Sequence, residues 1–105
     1  MVRWRNNGIW VERQYPGGVS ATVLPSGTGV AIAEVPRGPG SGAIYNEDGS
    51  VRVRLVNAHP EHGQTVFDSV FCEGGELTFL IRGRGISIAA VYDENGRFVR
   101  KHEAS

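Results

Sequence analysis

Residues 91–98 read VYDENGRF, and residues 44–51 read IYNEDGSV. Each stretch is a short apolar run, an acidic turn that includes a glycine, and the beginning of a second apolar run. Asp-Gly and Asn-Gly between apolar runs are typical of β-hairpins, because these residues tolerate the positive φ that a tight turn needs. The two stretches therefore predict two similar hairpins, 47 residues apart.

The similarity extends upstream of both hairpins. A shift of 47 residues, without a gap, aligns 19–49 with 66–96, and nine of the 31 aligned positions are identical. Composition alone would give roughly two or three identities. A fixed period constrains the whole fold, so we predict two repeats of about 47 residues, at about 19–57 and about 66–101. The alternative is an accidental alignment of two glycine-rich β segments. The identities are Val19/Val66, Val23/Val70, Gly27/Gly74, Arg37/Arg84, Gly38/Gly85, Ala43/Ala90, Tyr45/Tyr92, Glu47/Glu94 and Gly49/Gly96.

The rest of the chain has the pattern of an all-β protein. Short apolar runs alternate with Gly, Pro, Asn and Asp turns, and no stretch shows a sustained helical period. We predict one domain over 1–105, an antiparallel sandwich or small barrel of about 8–10 short strands. An N-terminal hairpin at 2–13 precedes the repeats. One repeat cannot bury both faces of its sheet, so the two repeats are expected to share one core about a pseudo-twofold axis.

Composition narrows the classes of partner. Eleven basic and eleven acidic residues leave no net charge, so no global field attracts nucleic acid or membrane. The single cysteine, Cys72, cannot form a disulfide within the chain. No signal peptide and no apolar run of transmembrane length are visible, so we expect a cytoplasmic protein that does not associate with membranes.

Candidate ligand-binding residues lie where the two repeats differ and in their hairpins. Trp4 and Trp10 flank an Asn-Asn-Gly turn, and we expect them to pair across the hairpin. With Arg3 and Arg5 they could form a surface for RNA or single-stranded DNA, but the zero net charge and the lack of a nucleic-acid motif disfavour this reading. The glycine-rich loop at 36–42 has no helix behind it for phosphate binding, yet could bind ligand. The full predicted set is Trp4, Trp10, Arg37, Tyr45 and Tyr92.

A metal site is the alternative for the polar segment 57–64. His59 and His62 lie three residues apart, and Asp68 or Cys72 could supply further ligands. Cys72 could also act as a nucleophile beside one of these histidines. The simpler readings are exposed loop histidines and a strand-end thiol that behaves as a small hydrophobe. We therefore predict no cofactor, with a divalent metal as the alternative.

Acidic pairs occupy the tips of both hairpins, Glu47/Asp48 and Asp93/Glu94. Such pairs can bind calcium or perform glycoside chemistry. In a glycine turn, Asp and Asn more often accept hydrogen bonds from the turn backbone. We expect these acids to serve the turns.

The hairpin at 91–98 resembles the Tyr-Asp…Gly-Arg repeat of bacterial Rhs-type toxin shells over about eight residues. The two-copy layout is similar to lectins built from two propeller blades, although their tryptophan-rich sugar sites are not evident here. It also resembles the double Greek key of βγ-crystallins, without their acidic-Ser calcium motif. The first resemblance implies a toxin-neutralising or effector-associated module.

The sequence contains no constellation that points to a catalytic site, and we expect a non-enzymatic binding module. It would recognise a protein or small ligand through loops or an edge strand, and it could self-associate as a homodimer through an uncovered edge. The alternatives are a small metal-dependent enzyme or metal-binding protein around His59 and His62, and the toxin-neutralising or effector-associated module.

Overall fold

The computed structural model describes residues 1–15, 19–34, 41–55, 65–83 and 85–103. These residues form ten strands, so the predicted all-β class is confirmed. Within the described ranges, no helix has the length and apolarity that crossing a bilayer requires. The strands are β1 (Val2–Asn6), β2 (Ile9–Arg13), β3 (Ser20–Val23), β4 (Gly29–Ala33), β5 (Gly42–Asn46), β6 (Val51–Arg54), β7 (Val66–Glu73), β8 (Glu76–Gly83), β9 (Ile86–Tyr92) and β10 (Phe98–Glu103).

The strands form three antiparallel sheets. The N-terminal hairpin contains β1 and β2, the first sheet has the order β3-β4-β5-β6, and the second sheet has the order β10-β9-β8-β7. Neighbours in sequence are thus neighbours in space, as expected when turns of a few residues connect antiparallel strands. The two four-stranded sheets pack face to face as a sandwich, and the hairpin covers the other face of the first sheet.

The pairing registers of the two sheets correspond at a shift of 47 residues. Val30 pairs with Tyr45 in the first sheet, and Leu77 pairs with Tyr92 in the second. The last hairpin of each sheet contains a bulge at the corresponding place. These registers are compatible with the predicted repeat, which remains a prediction. At the bulges, the pairs Tyr45–Val51 and Ile44–Val53 correspond to Tyr92–Phe98 and Val91–Arg100.

The main core lies between the first and second sheets. Phe79 is its centre, with edge-to-face contacts to Phe67 and Tyr92 at centroid distances of 5.5 and 5.8 Å. Fully burying an aromatic or branched side chain contributes about 1.5–3 kcal/mol, so this cluster is the principal source of stability. Its buried members are Leu24, Ala31, Ile44, Leu55, Phe67, Val70, Leu77, Phe79, Ile81, Ile88, Ala90 and Tyr92.

The two sheets present non-equivalent faces to the main core. The second sheet contributes Phe79 and Tyr92, whereas their counterparts Ile32 and Tyr45 point away, toward the hairpin. A pseudo-twofold axis would join equivalent faces, so the predicted pseudo-twofold arrangement of the repeats is not confirmed, and the packing is of the heterologous kind. The first sheet is therefore buried on both sides, which matches the complete burial of β4.

Hydrogen bonds of side chains connect the two sheets at one edge and at the end of the sandwich where the turns lie. On one edge, Ser20 Oγ bonds both Val70 N at 3.0 Å and Val70 O at 3.2 Å, joining β3 to β7. At the turn end, Arg52 donates to Asn46 Oδ1 at 2.7 Å, to Thr28 O at 2.7 Å and to Glu94 O at 3.3 Å. One guanidinium therefore ties together three turns from two sheets, a task for which its planar array of donors is suited.

The acids at the hairpin tips serve mainly their own turns. Asp48 Oδ1 accepts from Ser50 N at 2.9 Å, and Asp93 Oδ1 accepts from Asn95 N at the same distance. Glu94 differs, because its carboxylate accepts from both the backbone N–H and the hydroxyl of Ser26 in the first sheet. Turn chemistry thus accounts for the aspartates, while Glu94 joins the two sheets.

Candidate functional site

The turn of the N-terminal hairpin separates its two tryptophans. Asn7 and Gly8 have φ of 52° and 79°, the two positive values of a type I′ turn. This turn sets a register in which Trp4 lies opposite Val11, and Arg5 lies opposite Trp10. Side chains alternate between the two faces of a strand, so Trp4 and Trp10 point in opposite directions. The expected pairing of the two tryptophans is wrong.

The outer face of the hairpin is defined here by Arg3, Arg5, Trp10 and Glu12. Trp10 is 50% exposed. The guanidinium carbons of Arg3 and Arg5 lie 4.5 and 5.0 Å from its ring centroid, and Arg3 Nε lies 3.2 Å from Glu12 Oε1. Cation–π contacts at exposed sites stabilise by about 0.5–1 kcal/mol. They favour one orientation of the indole while half of its surface faces solvent.

The inner face fixes the hairpin to the first sheet. Trp4 is 8% exposed and donates its indole N–H to Glu47 O at 2.6 Å. Arg13 lies over the ring of Tyr45, with 4.3 Å between the guanidinium carbon and the ring centroid, and donates to Gly49 O. Indole and guanidinium contacts on opposite strands of the hairpin therefore give the outer face a rigid base.

A hydrogen-bonded cluster around Glu34 lies at the opposite end of the first sheet from the β5–β6 turn. Tyr15 and Tyr45 both donate to Glu34 Oε2, at 2.6 and 2.5 Å. Arg54 donates to the other oxygen, Oε1, at 2.5 Å. Glu34 follows β4 directly, so one carboxylate connects that strand to β5, to β6 and to the segment after β2. With three charge-assisted bonds, the cluster is suited to holding these segments together.

The pKa values in this cluster reflect the same contacts. Burial alone would raise the pKa of Glu34, but the hydrogen bonds from Tyr15, Tyr45 and Arg54 outweigh it and hold the pKa below its usual value. Burial, and then the bond to Glu34, raise the pKa of both tyrosines above the usual value. The carboxylate is therefore ionised and the phenols are neutral at pH 7.

Acid is expected to weaken the fold through Glu34. Its pKa is lower in the folded protein, so its contribution is present above the unfolded pKa of 4.5 and is lost as pH falls through the folded pKa. The free energy of unfolding in urea, measured as a function of pH, should decline below this value. Glu34→Gln cannot titrate, so its acid decline should be shallower. Identical acid declines in the two proteins would contradict the prediction.

The predicted ligand-binding residues do not converge on one site. Trp10 lies on the outer face of the hairpin, whereas Trp4 and Tyr45 lie in the core beneath the hairpin. Tyr92 lies in the main core, in edge-to-face contact with Phe98 at 5.9 Å. Arg37 is outside the described residues. Of the four placed side chains, Trp10 offers a large exposed surface.

The predicted metal residues are only partly described. Asp68 pairs with Arg82, with 2.9 Å between Oδ2 and Nε, and His59 and His62 lie outside the described residues. Cys72 is exposed on β7 and donates its thiol to Val23 O at 3.3 Å. Across the described ranges, no group of three His, Cys, Asp or Glu side chains has the geometry of a metal site.

Sequence reasoning missed the Glu34 cluster. Glu34 and Arg54 read as polar positions of alternating strands, and Tyr15 reads as part of a break before Pro16. A usable signal was the glutamate at the end of an otherwise apolar strand, since a charge next to a buried strand needs partners. The identity of those partners depends on sheet order.

Comparison of the chain with protein-family models, with curated proteins and with solved structures finds no match.

Proposed function

We propose that this protein is a non-enzymatic binding module that recognises an acidic segment of a protein partner through the outer face of its N-terminal hairpin. The observation that supports the proposal is the half-exposed indole of Trp10, held against Arg3 and Arg5 on a hairpin that is itself anchored by Trp4.

Trp and Arg are the residue types that dominate binding energy at protein interfaces. A flexible side chain loses about 0.5–1.5 kcal/mol when an interface immobilises it. The two guanidinium contacts already restrict Trp10, so less of this cost falls on binding. Burial of its remaining exposed surface is then available to stabilise a complex.

The charge of the surface favours an acidic partner. Two arginines face one glutamate on the outer face, and the glutamate is already engaged by Arg3. Of the described strands, only β2 pairs with β1, and the other edge of β1 is without a described neighbour. An extended segment that adds to this edge would place alternate side chains beside Arg3 and Arg5. Carboxylates at those positions would make bidentate contacts with guanidinium groups.

The test is calorimetric titration with a synthetic acidic peptide of alternating Glu and Val, and with a Lys–Val peptide of the same length. We expect the acidic peptide to bind, with an affinity that falls as salt rises. Trp10→Ala and Arg5→Gln should each weaken this binding at least about tenfold, whereas Arg97→Gln, an exposed arginine outside the hairpin, should not.

Equal binding of both peptides, no binding of the acidic peptide, or binding that is insensitive to Trp10→Ala would each contradict the proposal. Binding of a single-stranded oligonucleotide in preference to the acidic peptide would indicate a nucleic-acid partner instead.

A metal-dependent role around His59 and His62 stays a prediction, as does a toxin-neutralising or effector-associated role. Stoichiometric zinc, iron or nickel that is lost on changing both histidines to Ala would favour the metal site.

A further inference from the structure

The tip of the β7–β8 hairpin carries an unbalanced acidic pair. Glu73 and Glu76 lie directly opposite each other across the Gly74-Gly75 turn. Like charges at such positions repel. Arg100 pairs with Glu76, but no hydrogen bond or ion pair to the Glu73 side chain is present among the described residues. A cation supplied from outside would therefore be favourable at Glu73.

A groove lies beside this tip on the outer face of the second sheet. Its volume is about 300 Å³, near the lower end of the range for ligand pockets, which suits one large side chain better than an extended ligand. Its floor is apolar or uncharged and its rim is charged. The floor is formed by Phe71, Thr78 and Val91, and the rim by Glu73, Glu76, Arg100 and His102.

The floor of the groove corresponds to a surface that is covered elsewhere in the molecule. At the shift of 47 residues, Phe71, Thr78 and Val91 match residues of the first sheet that pack in the main core. In the second sheet the same face has no described β-layer above it. The matching residues of the first sheet are Leu24, Ala31 and Ile44.

The three β-layers are stacked in the order hairpin, first sheet and second sheet. Two surfaces end this stack: the outer face of the hairpin and the outer face of the second sheet. The first is net basic, with two arginines and one glutamate. The rim of the second holds two glutamates, one arginine and one histidine, and its Glu73 has no ion-pair partner among the described residues. A contact between these two surfaces in different molecules would continue the stack.

We infer that the acidic partner of the hairpin is a second copy of this chain, joined head to tail. Trp10 of one copy enters the groove beside the β7–β8 tip of the next, and Arg3 or Arg5 neutralises Glu73. This inference rests on the proposed function, since it names the partner of the same hairpin surface. The contact is heterologous, so it extends to rings or open chains of molecules rather than closing as a twofold dimer.

The first measurement is sedimentation equilibrium of the intact protein over a series of concentrations. The mean mass should rise with concentration beyond that of two chains, and it should fall as salt rises. A wild-type protein that stays monomeric overturns the inference, and so does a mass that stops at two chains. A monomer that still binds the acidic peptide through Trp10 would retain the proposed function, so the two failures are distinguishable.

The second measurement uses two complementary variants. Each variant changes one of the two contacting surfaces and leaves the other intact. Trp10→Ala removes the inserted side chain, and Glu73→Arg reverses the charge at the groove. Each alone should weaken self-association at least about tenfold. An equimolar mixture should regain association but stop at a mass of two chains. Glu47→Arg reverses an exposed charge that belongs to neither surface and keeps the backbone carbonyl that holds Trp4, so it should associate like the wild type.

Circular dichroism establishes that each variant is folded before sedimentation. Folded variants that stay monomeric when mixed would overturn the head-to-tail contact. Undiminished self-association of Trp10→Ala would overturn it as well, because association would then use another surface.

Discussion

Replacing Trp4 with alanine is expected to lower the free energy of unfolding by about 3–5 kcal/mol, the range for truncating a buried tryptophan. The ring packs in the core beneath the hairpin against Ile32, Ala43 and Tyr45, and its N–H bond to Glu47 O would be lost as well. Urea unfolding followed by circular dichroism measures the change. The same variant should bind the acidic peptide weakly although Trp10 is intact, because the hairpin loses its anchor.

Trp10→Ala is the matched control, since it makes the same substitution six residues along the same hairpin. Trp10 is half exposed and contributes mainly its contacts with two arginines, so we expect a loss of about 1–2 kcal/mol. Binding should be affected in both variants, and stability strongly in Trp4→Ala alone. Equal losses of stability, or a larger loss for Trp10→Ala, would contradict the assignment of the two faces.

Glu34→Ala is expected to lower the free energy of unfolding by about 2–4 kcal/mol. The substitution removes the acceptor of three charge-assisted hydrogen bonds and leaves the hydroxyls of Tyr15 and Tyr45 without their partner. Bonds to charged groups are each worth about 1.5–3 kcal/mol, and an unpaired buried donor adds a desolvation cost. The losses are not additive within one network. Chemical denaturation at pH 7 measures the total.

Two controls separate the role of the Glu34 cluster from that of charge alone. Glu34→Gln keeps an acceptor oxygen and should lose less stability than Glu34→Ala. Glu47→Ala removes an exposed glutamate whose side chain makes no such network, and it should change stability by no more than about 0.5 kcal/mol. A Glu47→Ala loss as large as that of Glu34→Ala would show that the carboxylate has no special role.

The strands and hairpins could be predicted from local chemistry. Asn7-Gly8, Asp48-Gly49 and Asn95-Gly96 all mark turns in the structure, and each of these glycines has a positive φ. Alternating apolar residues between the turns determine where strands form, because one face of each strand must be buried. The all-β class followed from these two patterns, and the observed registers are compatible with the predicted repeat.

The candidate site could be predicted only in part. Trp10 and its neighbouring arginines were evident as an aromatic and basic stretch, but the sequence suggested that Trp4 belonged with them. A type I′ turn fixes the register, and the register places the two rings on opposite faces. The partners of Glu34 were not predictable, since Tyr15, Tyr45 and Arg54 meet only after the first sheet has formed and the hairpin has packed on it.

By itself, the sequence determined the strand class and the turns, because these depend on backbone preferences and on side-chain periodicity within short stretches. Only the tertiary structure decided which face of each sheet is covered. Both faces of the first sheet are apolar enough to be buried, so periodicity alone cannot choose between them. The choice depends on where the hairpin packs, and that packing leaves Trp10 outside and Trp4 within.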